Sequence, residues 1–590
     1  MKRVVWLVFL LSAGLSLAQE GGTPNSEWMY VGNTWRDYQG NGTLGRMIAV
    51  GPNGDVHFVW TNGLSDGLAR DCFYNCWDDA SDSLLSQDGY SMNGFHRSSY
   101  PTIVVHSHGY GVSSFNSLHY TGQPAVATAF DFFPCSGAFT PYWAGVGDSI
   151  AYWPKTDMDR QDRIHLVGTS FEPEMRIYYA RAFIDDTSNM DFEIIWDVTL
   201  VEIASEGIIS PGVDIACSRL SDRVAVAWVV DPPGDYDPEN IVMRISDDGG
   251  ETWSGVLPVT DLPPIDTMCT QAPEICNGDT FRPWHDLSIL LDDDDNVHIA
   301  FSASGYYYFD ENGEANPGHT YLSSIWHWSE FTQEFTLIGE AWHPHDTHAL
   351  GENNLMCQKP SLAIDTTTGY MYCGFQQFDR RAYSVSGYPM GEFYLSKSWD
   401  LGASWTLPIN VSNTPGDTAM PENGDHPSER DITLAKYVTD GTVHAQYIHD
   451  RSAGSTPWFE GETTLNEVVY MRVPDRDMPW LPLQEQWQFR ATGTSANDLP
   501  QLPRQFTLYQ NYPNPFNPST TIQFDLAKAG NVKLAVFDVT GRTVATLVDG
   551  AMSAGAHSVE FDGANLTSGV YFARLEMGGT TMTRKMVLIK

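Results

Sequence analysis

At 590 residues the chain is too long for one ordinary domain, and its formal net charge of −41 at pH 7 makes nucleic acid and acidic membrane surfaces poor partners. Aromatic residues at 13% together with 51 glycines and 34 prolines suit a turn-rich all-β protein. After the first twenty residues no run approaches the ~20 apolar positions of a membrane-spanning helix, so no membrane span is expected.

Residues 1–18 have the layout of a secretory signal peptide: Lys2 and Arg3, an apolar run over 4–11, and the small-residue site Ser16-Leu17-Ala18. Its removal takes the net charge to about −43. From 19 to 474 a short alternating strand recurs after a turn signal. The copies are DVHFVW (55–60), YGVSSF (110–115), RIHLVG (163–168), RVAVAW (223–228), NVHIAF (296–301), YMYCGF (370–375) and TVHAQY (442–447). Most follow a companion strand and a tight turn, such as MIAVGPNG (47–54) or SLAIDTTTG (361–369). Seven such units predict a seven-bladed β-propeller over 19–474, the second unit being the least regular. The seventh unit lacks a fourth strand after EVVYMRVP (467–474), and EWMYVGNTW (27–35) is expected to supply it and close the ring. Residues 475–503 read as a linker, and 504–590 as a small immunoglobulin-like β-sandwich of alternating strands broken by Gly and Asn-Pro turns.

Two stretches share the pattern Ser-x-Asp-x-Gly-x-x-Trp: Ser246, Asp248, Gly250 and Trp253, then Ser398, Asp400, Gly402 and Trp405. Asp and Ser side chains there satisfy turn N–H groups, Gly takes a positive φ, and Trp is expected to pack the hairpin onto its sheet. Two copies in equivalent strand contexts resemble the Asp-box of sialidase-like, BNR-repeat β-propellers, where the box is a fold device. Sialidases have six blades, so a six-bladed ring is the alternative. At the C-terminus NYPNPFNPSTTI, FDVTGR, the GVY strand and a last strand ending at Lys590 resemble the type A sorting domain of the type IX secretion system. That resemblance implies export in a diderm bacterium, the type IX machinery as a partner, and release from or anchoring at the outer-membrane surface.

In a propeller the connection from one blade's outer strand to the next blade's inner strand lands near the axis, where ligands are expected. Four of these connections are polar. They contribute His96 and Arg97; Arg282, Trp284, His285 and Asp286; Trp342 and Asp346; and Asp425, His426, Glu429 and Arg430. His343, His345 and His348 beside Asp346 have the donor chemistry of a Zn²⁺ site, set against a plain polar loop. The acidic run 292–295 reads as a solvated hairpin turn, with Ca²⁺ as the alternative; no motif demands a cofactor. His57, His165, His298 and His444 share the third position of the repeated strand and are expected to be buried and hydrogen-bonded. Of the eight cysteines, Cys269 and Cys276 share a loop, Cys72 and Cys76 are close in sequence, Cys357 and Cys373 are candidates to meet across strands, and Cys217 reads as a buried thiol.

The sialidase resemblance implies an arginine triad, a Tyr–Glu nucleophile pair and an Asp acid/base, usually with an Arg-Ile-Pro motif near the propeller start. No such motif follows Glu20, and the first unit offers only Arg36 and Arg46, so those roles are not carried over. Two functions remain. The preferred one is binding of a glycan or a surface protein through the axial loops. The alternative is a glycoside hydrolase or lyase using Asp286, Asp346, Asp425 or Glu429 at a separation of roughly 5 to 9.5 Å, with Trp284, Trp342, Tyr306 and Tyr307 as stacking surfaces. A central pocket between two such carboxylates favours the enzyme, and a filled axis favours the binder.

Overall fold

The computed structural model describes residues 27–40, 42–63, 70–94, 97–118, 124–144, 152–170, 175–185, 193–205, 208, 211–230, 240–262, 281–309, 315–341, 350–351, 354–384, 386–413, 428–478, 507–508, 511, 516–526, 530–552, 555–564, 566–577 and 580–589. They fall into two compact units, one holding the strands from Glu27 to Pro474 and the other those from Thr507 to Leu588. No helix among the described residues is long and apolar enough to cross a membrane.

Among the described residues the first unit forms seven antiparallel sheets in chain order. Every repeated strand singled out in the sequence is the second strand of its sheet, from Val56–Gly63 in the first to Thr442–Asp450 in the seventh. The innermost strands are Ile48–Val50, Ser98–Val105, Tyr152–Met158, Val213–Cys217, Phe281–Leu291, Cys357–Ile364 and Ser428–Leu434. They neighbour one another in order, and the seventh lies against the first, which is the cyclic arrangement of a β-propeller. Glu27–Thr34 pairs antiparallel with Asn466–Pro474 as the outermost strand of the seventh sheet. The strand nearest the N-terminus thus completes a sheet built from the far end of the repeat, and covers an edge otherwise open to pairing.

Neighbouring sheets are joined by side chains at one register position of the inner strand. Asp214 accepts from the Ile289 amide at 3.1 Å, Ser288 from Leu362 at 3.1 Å, Ser361 from Leu434 at 2.9 Å and Thr433 from Met47 at 3.1 Å. At four of the seven junctions a backbone N–H on the axial edge is in this way satisfied by the preceding sheet.

Residues 36–40 and 42–47 run inside the ring, against the inner strands. Gln39 donates its amide to Asp431, and its side chain meets the Thr61 carbonyl at 3.0 Å. Thr43 accepts from the Leu287 amide, and a Cβ on Gly45 would touch Thr102 and Lys155. Arg46 donates to the carbonyls of Leu362, Leu434 and Ile289. With Gly42 packed against Pro211, this one segment meets all seven sheets.

The four repeated histidines are buried, as their periodicity predicts. Nδ1 of His57, His165 and His444 lies 2.8, 2.8 and 2.6 Å from the hydroxyls of Tyr74, Tyr179 and Tyr470, whereas His298 meets His327 at 3.0 Å. On the other side Nε2 meets a turn residue: Asp159 for His165, Asp292 for His298 and Thr439 for His444. Asp292, the first carboxylate of the acidic run, also accepts from the amides of Asp294 and Asn296, while Asp293 pairs with Arg219 and Asp295 accepts from Ser218.

Both Asp-boxes form the same turn. Ser246 and Ser398 accept from the amides of Gly250 and Gly402 at 2.8 Å, and Asp248 and Asp400 accept from the amides of Thr252 and Ser404 at 2.8 Å. The Thr252 hydroxyl and amide hold the Asp248 carboxyl down at about 2. The tryptophans correct the expectation of packing onto their own sheet. Trp253 meets Tyr179 of the third sheet edge-on at 4.9 Å, and Trp405 donates to Thr336 of the fifth at 3.2 Å. The box therefore ties adjacent sheets, because its turn leaves the third strand where the preceding sheet's side chains lie.

The cysteine pairings also differ from expectation. Cys76 is bridged to Cys135, so Cys72 and Cys76 do not pair, and Cys72, Cys217, Cys357 and Cys373 are buried thiols. Cys357 stands opposite Gln377 and Cys373 opposite Leu362, a register that separates the two. Cys269 and Cys276 lie outside the described residues. At the start of the expected linker, Asp475 accepts from Lys397 and Tyr372, and Met478 is buried in the core of the sixth and seventh sheets.

The second unit is a sandwich of a three-stranded and a four-stranded antiparallel sheet. Ile522, Phe524 and Phe561 of one sheet meet Leu534, Val536, Leu575 and Met586 of the other in one apolar core.

Two stability predictions follow from these contacts. Gly402 has φ +82°, and a Cβ there would stand 2.0 Å from the His327 ring, so Gly402→Ala should cost about 2 kcal/mol or more, read from the denaturant midpoint. Burial holds His444 down at about 4, below the ordinary value of about 6.5, so the unfolded chain takes up the proton first. Stability should therefore fall by ~1.4 kcal/mol per pH unit from this group as pH drops from about 6.5 to about 4, and His444→Gln should flatten that slope in melts across the range.

Candidate ligand-binding site at the starts of the inner strands

Two residues ahead of the sheet-joining position each inner strand reaches an equivalent place, occupied in turn by Gly45, Tyr100, Trp153, Gly212, Asp286, Lys359 and Asp431. The pairing register shifts across this place in the second, third, fifth, sixth and seventh sheets. A β-bulge of this kind bends the strand and re-aims a side chain. Proline follows directly at Pro101, Pro154 and Pro360, which the interrupted ladder tolerates. Tyr100, Trp153, Lys359 and Asp431 have φ of 59°, 49°, 56° and 52°, a left-handed conformation uncommon for side chains of this bulk.

Around this ring the charges are closely paired. Lys359 Nζ lies 2.5 Å from Asp431 Oδ1 and 5.3 Å from the centre of the Tyr38 ring. Asp431 Oδ2 accepts the Gln39 amide at 2.7 Å. Burial, with the Asp431 charge beside it, keeps the Tyr38 phenol well above the usual tyrosine range and so protonated. Asp286 accepts from the Lys359 amide and from Ser302 through one oxygen, while Oδ1 is buried without a hydrogen-bond partner among the described residues. Burial raises its carboxyl pKa. Tyr100 is half-buried, with the Arg70 guanidinium 5.3 Å from its ring centre and donating to its hydroxyl at 3.3 Å.

The residues expected from the sequence divide three ways. Asp286 joins the ring. Glu429 and Arg430 sit two places and one place before the ring residue Asp431 on the seventh inner strand, buried rather than displayed on a loop. Glu429 Oε1 is 3.2 Å from His449, and Arg430 is held by Asp450 at 3.2 Å, Asp37 at 3.6 Å and the Gly454 carbonyl. Arg282 is buried, Trp284 and His285 contact each other at 4.4 Å, burial lowers His285 to about 4, and Arg97 is exposed. His96, Trp342, His343, His345, Asp346, His348, Asp425 and His426, with the side chains of Tyr306 and Tyr307, lie outside the described residues. Tyr38, Tyr100, Trp153, Lys359 and Asp431 were missed, although the repeat Tyr-Pro-Thr-Ile, Trp-Pro-Lys-Thr, Asp-Leu-Ser-Ile, Lys-Pro-Ser-Leu, Asp-Ile-Thr-Leu carries the signal for four of them.

Residues 510–590 match the secretion system C-terminal sorting domain, so the chain is an exported protein that engages the secretion machinery and reaches the cell surface or the medium. No curated protein matches the chain. Among solved structures it is similar to an ulvan lyase of a new polysaccharide lyase family, with 10% identity, 71% of this chain and 93% of that one covered, and a TM-score of 0.43. It is also similar to an α-L-arabinofuranosidase of Fusarium graminearum (11% identity, 64% and 92% covered, TM-score 0.35). A Hadza microbial sialidase is a third (10% identity, 70% and 74% covered, TM-score 0.32).

Removing one partner of the buried Lys359–Asp431 pair leaves a charge stranded. Lys359→Met should destabilise the protein by about 3–5 kcal/mol, and adding Asp431→Asn should recover part of that loss in a double-mutant cycle by chemical denaturation.

Proposed function

We propose that this protein is a glycan-binding β-propeller, its seven sheets being seven blades, that takes its ligand at the ring of bulged residues without turning it over. The observation that supports this most is the shared left-handed φ of Tyr100, Trp153, Lys359 and Asp431. Each such residue costs about 1–3 kcal/mol. Bulky side chains kept under strain at equivalent places point to a binding role. The half-buried aromatic faces of Tyr100 and Trp153 suit the apolar faces of sugar rings. Binding is favoured over hydrolysis because residues 36–40 and 42–47 run inside the ring against the inner strands and Asp431 is engaged by Lys359 and the Gln39 amide.

The test is affinity electrophoresis of the mature protein in gels containing laminarin, xylan, polygalacturonate or alginate. At least one polymer should retard the wild type. Tyr100→Gly and Trp153→Gly, which relieve backbone strain, should keep the melting temperature and weaken retardation by about tenfold. Unchanged retardation in both variants, or none with any polymer, would sink the reading, and release of reducing ends would replace it with an enzymatic one.

A further inference from the structure

Eight aromatic side chains are exposed among the described residues: Trp28, Tyr30, Tyr90, Phe133, Phe183, Phe331, Trp458 and Phe459. Four of these eight, Trp28, Tyr30, Trp458 and Phe459, belong to the seventh sheet or the loop between its second and third strands. That loop springs from Asp450, which pairs with Ser428 at the start of the inner strand, so it rises at the same end of the sheet as the bulge. Arg430, next to Asp431, binds the Gly454 carbonyl and fastens the loop to the ring. The Trp458 and Glu460 amides both donate to the Ser455 carbonyl, and the Ser455 amide donates to the Glu460 carboxylate at 3.1 Å. So held, the loop leaves Phe459 98% exposed at φ 61°, a bulky residue both strained and unburied.

Trp28 and Tyr30 stand on the outermost strand, 54% and 48% exposed, their rings 5.3 Å apart and edge-on. Tyr30 reaches the His449 ring at 6.2 Å, and His449 is the partner of Glu429, beside the bulge. The Arg451–Glu467 pair borders Tyr30, whose phenol pKa is raised by burial and by the Glu467 charge, with Arg451 opposing. A path of polar and aromatic groups therefore runs along one sheet from Asp431 through Glu429 and His449 to the rim.

From this placement we propose that the seventh sheet is an extended subsite for a polysaccharide chain, whose sugar rings stack on Trp458, Phe459, Tyr30 and Trp28 while one unit occupies the ring of bulged residues. The inference rests on the reading of that ring as a glycan site. It makes the ligand a long chain bound across a surface rather than a single terminal sugar bound in a pocket. An acyl-lipid surface fits less well, because Glu460, Glu462 and Glu467 border the aromatics on a chain of net charge −41. Rigid aromatics bordered by carboxylates suit a pyranose, which offers an apolar face and hydroxyl donors together.

The experiment uses the mature full chain and the polymer that retards it best, with the disaccharide and hexasaccharide made from that polymer, by isothermal titration. Trp458→Ala/Phe459→Gly and Trp28→Ala/Tyr30→Ala should each weaken polymer and hexasaccharide binding by about tenfold and leave the disaccharide unchanged. Tyr100→Gly should weaken all three. Melting curves screen each variant for folding, and Trp28→Phe/Tyr30→Phe, which keeps the rings, should bind as the wild type does. Full polymer affinity in both platform variants, with loss in Tyr100→Gly, overturns the extended subsite and leaves the ring standing. Full affinity in Tyr100→Gly as well, or an acidic or neutral phospholipid vesicle binding in place of every polymer, overturns both.

Discussion

The propeller depends on how the inner edge of each sheet is satisfied. A four-stranded sheet in a ring has one strand turned to the axis, where no further strand can pair with it and water has little access. Here that edge is capped by the preceding sheet, through Asp214, Ser288, Ser361 and Thr433, each accepting from an amide of the next inner strand. An unmet buried amide would cost on the order of 1–3 kcal/mol, which these four short polar residues avoid at their junctions. The carbonyl side of the same problem is met by Arg46, whose guanidinium serves three sheets at once.

This constraint explains why the N-terminal segment matters twice. Glu27–Thr34 completes the seventh sheet at the rim, and the residues that follow cross to the axis and fill it before the first sheet begins. Ring closure and axial filling thus come from one continuous stretch. Buried charges take part in the same interior. Lys155 falls to about 8 and Asp214 rises to about 6, both driven mainly by burial, while Lys436 bridges to Asp157 at 2.5 Å and to the Cys217 carbonyl at 3.0 Å. Beyond this segment the ladder is interrupted at the end where the inner strands begin.

The bulges set that end apart from the rest of the sheets. Regular strands would alternate side chains between the two neighbouring sheets and leave little free, whereas a bulge takes one residue out of register and turns it elsewhere. The Asp-boxes follow the third strands, at the opposite end of the sheets. There Trp253 and Trp405 pack adjacent sheets together.

The alternating strands, the buried histidines, the two Asp-box turns and the sorting domain are local patterns with a local cause, and each was legible in the sequence, while the closing strand was legible as the strand the seventh unit lacked. Strand periodicity, turn chemistry and a His recurring at one place of the repeated strand leave their mark within a few tens of residues. The candidate site was legible only in part. Asp286 stood out as a polar residue in a loop-like stretch, but Lys359, Asp431, Tyr100 and Trp153 are scattered over 330 residues and share no chemistry, only a place. Their equivalence depends on seven inner strands being brought side by side and on the register slipping at the same point in five of them. Likewise Glu429 and Arg430, which look like loop residues in the chain, are buried because the seventh inner strand extends further than its hydrophobic pattern suggests. The sequence by itself determined the sheets and their order. Which side chains face a ligand was decided by tertiary structure, because a bulge acts on orientation, and orientation is read only against neighbouring strands.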